Sequence, residues 1–135
     1  MATIRDVIFD SRHPASIARF WAAAIDDYQV APYDDAELAR LRSIGINDPE
    51  DDPTVLVEPV AGRGSRLFFQ LVPEARTVKN RVHLDLQAPD ADAEADRLTR
   101  LGARILARRE GWITLADPEG NEFCIQRTTV TGTTW

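Results

Sequence analysis

The feature that most constrains this 135-residue chain is that it lays down the same order of elements twice. Placing Asp6 over His83 sets the apolar stretch "TIRDVIFDS" over the alternating stretch "NRVHLDLQ", and the helical segment after each over the other. Each half then continues in strands and closes on an apolar one, "RLFFQLV" in the first and "NEFCIQR" in the second. The order expected in each half is β-α-β-β-β, with an extra short helix inserted in the first. Identity between the halves is negligible, so the repeat is one of pattern. A unit of this size buries too little of its sheet alone, and two units make a core. The expected class is α+β: two βαβββ modules with mixed, largely antiparallel sheets in one domain. The first module covers residues 1–74, the second 79–128, and 129–135 form a polar tail.

The local signals are as follows. Pro14 suits the first turn of a helix, and Ile17, Phe20, Trp21, Ala24 and Ile25 form an apolar stripe at helical spacing. "DDAELARLRSIG" predicts a short second helix with Leu38 and Leu41 on one side and Gly45 as its stop. "INDPEDDPTV" reads as a polar loop in which Asp48–Asp52 face solvent. "TVLVEPV" and "RLFFQLV" predict strands around the turn "AGRGS", and "PEARTVK" a linker. In the second half "PDADAEADRLTRLGA" predicts a helix with an Asp in its N-cap region, Leu98 and Leu101 inward and Gly102 at its end. "RILARR", "WITLAD" and "EFCIQR" follow as strands, the last two separated by the turn "DPEGN". Trp112 opens a strand at the core or at a cavity rim; Trp135 ends the polar tail.

Alternation assigns the faces. Val82, Leu84 and Leu86 oppose His83, Asp85 and Gln87; Val7 and Phe9 oppose Asp6, Ile8 and Asp10. Leu67, Phe69 and Leu71 oppose Phe68, Gln70 and Val72; Phe123 and Ile125 oppose Glu122, Cys124 and Gln126. Helices are expected on the more uniformly apolar faces, which leaves Asp6, Gln70, His83 and Cys124 on the others. A carboxylate at Asp6 beside Ile4 and Ile8 needs a partner, and Arg81, Lys79, His83 or a bound cation are candidates.

Composition excludes several classes. A net charge of −6 and a sequence pI near 4.9 argue against nucleic acid, which demands a basic stripe, and mildly favour a cationic small molecule. The single cysteine, Cys124, rules out an intramolecular disulfide and CxxC zinc chemistry. The charged start "MATIRDVIFD" lacks the apolar run of a signal peptide. No stretch approaches the roughly 20 apolar residues of a membrane span, so no membrane partner and a cytoplasmic location are expected.

The duplicated order, "VHLDL" opening the second half, the "LGA" helix end and "DPEGNEFCI" near the close together resemble the vicinal oxygen chelate superfamily, the glyoxalase and bleomycin-resistance proteins. The resemblance covers nearly the whole chain and implies a ligand-binding cup of paired sheets and a homodimer. In metal-using members each module supplies two ligands, a His or Gln and a Glu. The equivalent positions here are Asp6, Gln70, His83 and Cys124, so His83 is expected to line the site. Both glutamates are missing. Magnesium and manganese prefer carboxylates, whereas imidazole and thiolate suit zinc or softer ions. No cofactor is therefore assigned, and a divalent metal is the less favoured expectation.

Two functions follow from the resemblance. One is a binder that sequesters a small organic molecule in a cup lined by Asp6, Phe68, Gln70, His83 and Cys124. The other is a metal-dependent lyase, isomerase or dioxygenase of the glyoxalase kind, with His83 and Asp6 as candidate catalytic residues. Cys124 read alone is a small buried hydrophobe; as a nucleophile it would need His83 as its base. There is no phosphate-binding Gly-rich loop, no Gly-x-Ser-x-Gly elbow and no HExxH.

Overall fold

A computed structural model describes residues 1–127; the expectations about the polar tail and Trp135 lie outside them. The chain divides into two compact units, the first Met1–Ala75 and the second beginning at Arg76. Each is an α+β unit built on one four-stranded mixed sheet.

The first unit runs β1 (Asp6–Ser11), α1 (Pro14–Ala24), β2 (Tyr28–Val30), α2 (Asp35–Ser43), a 3₁₀ turn (Pro49–Asp51), β3 (Thr54–Pro59) and β4 (Arg66–Leu71). The sheet order is β1-β4-β3-β2, with β1 parallel to β4 and the other pairs antiparallel. α1 lies on one face, and the apolar stripe explains why. Ile17, Phe20, Trp21 and Ala24 are buried with Val55, Val57, Leu67 and Phe69. Phe9 stacks on Phe69 at 5.0 Å and on Trp21 at 5.9 Å. β2 carries no alternation long enough to announce itself, and it is the strand that the sequence pattern missed. It is defined by the pairing of Tyr28, Gln29 and Val30 with Pro59, Glu58 and Val57 of β3.

α2 starts where Asp34 accepts the Glu37 amide at 2.8 Å. Its Leu41 is buried, and Gly45, at φ +86°, ends the turn beyond it. Asp52 departs from the expected solvated loop: it is 3% exposed, and its carboxylate accepts from the Thr54 amide and the Tyr33 hydroxyl.

The second unit runs β5 (Leu84–Ala88), α3 (Ala91–Arg100), β6 (Arg104–Arg108), β7 (Trp112–Ala116) and β8 (Glu122–Arg127). Its order, β5-β8-β7-β6, repeats the first sheet with the parallel pair again at one edge. Asp90 caps α3 by accepting the Ala93 amide. Ala91, Ala95 and Leu98 are buried with Ile113, Leu115, Phe123 and Ile125. Leu101, expected inward, is 39% exposed, because the helix ends before it and the chain turns away at Gly102 (φ +118°). Val82, expected on the apolar face of a longer strand, is exposed because β5 begins only at Leu84.

Candidate functional site

In the second unit, helix α3 covers one face of the sheet and the other carries the chemistry. β8 sends Phe123 and Ile125 into the core, and Glu122, Cys124 and Gln126 to the opposite face. Strand register then fixes neighbours. Cys124 lies between Asp85 on one side and Thr114 on the other, while Gln126 lies between Gln87 and Trp112. His83 stands just ahead of β5, two residues before Asp85 and on the same side. Its Nε2 is 3.2 Å from Asp85 Oδ1. Thr114 Oγ1 and Cys124 Sγ are 3.6 Å apart. One donor atom each from His83, Asp85 and Cys124 lie within 4.8 Å of one another. Together with Lys79, Trp112, Glu122 and Gln126 they line a concavity of about 390 Å³.

Two local devices hold this surface. The "DPEGN" turn is tied by Asp117, 3% exposed, whose carboxylate accepts from the amides of Glu119 and Asn121 and from Asn121 Nδ2. That turn sets where β8 starts and therefore which side Cys124 faces. Asn80 clips the segment before β5 onto β8: its Oδ1 accepts the Glu122 amide at 3.0 Å and its Nδ2 donates to Asn121 Oδ1 at 3.2 Å. Lys79 Nζ lies 3.1 Å from Glu122 Oε2, and this hydrogen bond, more than any other influence, holds the Glu122 carboxyl below its ordinary range.

In the first unit Asp6, Phe68 and Gln70 do share the face opposite α1, with Ile8, Asp10 and Arg66. Their partners differ from those expected. Asp6 accepts from Arg66 Nε at 2.8 Å and Nη2 at 3.2 Å, with Arg5 Nε at 3.4 Å. The partner is Arg66, which parallel pairing sets directly opposite. The Arg66 guanidinium also sits 5.1 Å from the Phe68 ring centroid. Gln70 Nε2 donates to Asp10 Oδ1 at 2.8 Å. Phe68 and Leu56 floor a second concavity of about 500 Å³, bounded by Tyr33, Glu37, Arg40 and Asp52. Burial first, and then the 2.7 Å hydrogen bond to Asp52, push the Tyr33 phenol well above the ordinary tyrosine range.

The metal set that the family resemblance implies does not fit these residues. Asp6 is committed to Arg66, Gln70 is a neutral amide bonded to Asp10, and position 124 offers a thiol instead of a carboxylate. A hard divalent ion gains too little from such a set to offset its dehydration. Asp85, Thr114 and Gln126 were not among the sequence-derived candidates. Their signal was present nonetheless, since Asp85 follows His83 at strand spacing and Gln126 follows Cys124.

A family model described as a glyoxalase-like domain matches residues 6–126. Among solved structures, a fosfomycin resistance protein from Mesorhizobium loti is 16% identical with a TM-score of 0.65, covering 96% of this chain and 94% of that one. A glyoxalase/bleomycin resistance protein/dioxygenase family enzyme from Burkholderia phytofirmans is likewise 16% identical, with a TM-score of 0.64 over 95% of this chain and 100% of that one. The trypanothione-dependent glyoxalase I of Leishmania major is 12% identical, with a TM-score of 0.60 over 94% of this chain and 87% of that one. No protein of curated function matches. At these identities the solved structures establish the fold alone. Among the described residues no helix is long and apolar enough to cross a membrane. With the family model spanning both units, the chain belongs to the glyoxalase-like domain family of the vicinal oxygen chelate superfamily.

Proposed function

We propose that this protein binds a medium-sized cationic organic molecule on the open face of its second sheet, and that it acts as a sequestering binder rather than as a hard-metal enzyme. The observation that carries the reading is the concavity of about 390 Å³ beside Trp112, Asp85, Thr114, Cys124 and Gln126. Its volume lies in the range of roughly 300–1,000 Å³ usual for small-ligand sites. Trp112 is 43% exposed and offers a ring face for a cation–π contact. Asp85 supplies a carboxylate for the same charge, and Gln126 and Thr114 supply orienting polar groups. The net charge of −6 favours capture of a cation. Lacking two carboxylate ligands and with Asp6 tied to Arg66, the chain is less suited to the lyase, isomerase or dioxygenase reading. A homodimer, as the family resemblance implies, belongs to the same proposal, and light scattering of the purified protein tests it.

Thermal unfolding against paired aromatic amines and aromatic carboxylates of equal size is the test. The amines should raise Tm by mass action, the carboxylates should not, and Trp112→Leu should remove the effect. Equal shifts from both series, or shifts that survive Trp112→Leu, would refute the assignment.

A further inference from the structure

The concavity of the second sheet has two unlike ends. Resting on the reading above, we propose that its ligand is dipolar: an aromatic cation seated at Trp112 that also carries a carboxylate, which Lys79 receives. Cross-strand register sets the two ends. Gln126 lies beside Trp112 at one end of β8, and Glu122 lies at the other with Lys79 bonded to it. Asp85 and Thr114 flank Cys124 halfway along. Four residues of strand separate the ends, roughly 13 Å at the usual rise. Less the reach of the lysine, that leaves about 10 Å between the two charges of the ligand. A cation on the Trp112 ring occupies the first half of the surface, and only a longer ligand reaches Lys79.

Lys79 is placed at its end by the chain around it. Asn80, the next residue, is clipped to β8 through the Glu122 amide and Asn121 Oδ1. The Lys79 side chain is 79% exposed and gives Glu122 one hydrogen bond at 3.1 Å. An ammonium carries three donors, so two remain for an acceptor arriving from the concavity. Nor does Glu122 use up the positive charge there. Arg76 lies against the same turn, where a Cβ on Gly120 would meet its Nε at 3.6 Å. After the Lys79 hydrogen bond, the charge of Arg76 also helps to hold the Glu122 carboxyl below its ordinary range. Two cations thus act on one carboxylate at this end of β8. Toward the other, Asp85, Trp112 and Gln126 present an acid, a ring face and a neutral amide.

Isothermal titration calorimetry at low salt with two matched probes tests this. One is benzyltrimethylammonium carrying a propanoate chain in the para position, and the other is the same compound as its primary amide. Both present the same ring and cation, and only the first carries the acid. The acid should bind about three- to fivefold more tightly, the scale of an exposed ion pair, and this advantage should shrink as salt is added. Lys79→Gln should bring the ratio of the two affinities to one or below, because Glu122 then lacks its partner, and Lys79→Arg should keep the preference. Glu122→Gln should raise the ratio above that of the parent, which loss of a merely structural ion pair would not do. Circular dichroism of each variant checks that it folds. Amide binding with no gain from the carboxylate, a gain that survives Lys79→Gln, or a ratio that does not rise in Glu122→Gln would overturn this inference alone. Binding of neither probe would overturn it together with the reading it rests on.

Discussion

Asp6 and Arg66 stand opposite each other on the parallel pair β1 and β4, joined by two hydrogen bonds at 2.8 and 3.2 Å. The pair converts a position that the family resemblance marks for metal ligation into a structural clamp at the sheet edge. Asp6→Asn should therefore cost about 1 kcal/mol or less, the scale of a partly exposed ion pair. Urea unfolding measures that cost. The same variant should bind ligands at the second sheet as the parent does, and lost binding would show that Asp6 reaches the site.

Tyr33 gives the protein an alkaline limit. Its phenol is pushed up by burial and by the hydrogen bond to Asp52, so the neutral form is favoured in the folded state. A raised folded value means that the stabilisation is complete below about pH 10, where an unfolded tyrosine titrates, and is lost as pH rises through the folded value. Tyr33→Phe should flatten this alkaline decline while leaving Asp52 short of a donor, at about 1–3 kcal/mol. Unfolding curves at neutral and alkaline pH, with tyrosinate absorbance, separate the two effects. A Tyr33 phenol that ionises at the ordinary tyrosine pH in the folded protein would contradict this.

Much of this architecture was legible because burial writes itself into periodicity. The stripe Ile17, Phe20, Trp21 and Ala24 announces α1, and the alternation in "NEFCIQR" assigns Cys124 to the face away from Phe123 and Ile125. Pairing partners are not written that way. Nothing in "RDV" states that Arg66, sixty residues on, will face Asp6, since the parallel crossover decides it. β2 is three residues long and takes its form from β3, so it has no period of its own. Asp52 looks like one more acid in an acidic run until Tyr33 is brought across from before α2. Asp85 is the instructive case: its face was readable from alternation, but its place in a trio with His83 and Cys124 required the β5–β8 register.

The turn before β8 should be a weak point. Asp117 is buried and accepts three hydrogen bonds from Glu119 and Asn121. Asp117→Ala removes the acceptor of three partly buried hydrogen bonds and should cost about 1–3 kcal/mol, read as a lower denaturation midpoint. It should also loosen Cys124, seen as faster reaction with an added disulfide reagent in native buffer. An unchanged midpoint would mean that the turn holds without its carboxylate.

The central claim is that the open face of the second sheet is the binding surface. Titrating the ¹⁵N-labelled protein with benzyltrimethylammonium, an aromatic cation, and following amide shifts by two-dimensional NMR tests this most directly. Saturable shifts gathered at Asp85, Trp112, Thr114, Cys124 and Gln126, absent in Trp112→Leu, are the predicted result. Saturable shifts centred instead on Tyr33 and Phe68, or none that saturate, would contradict the account.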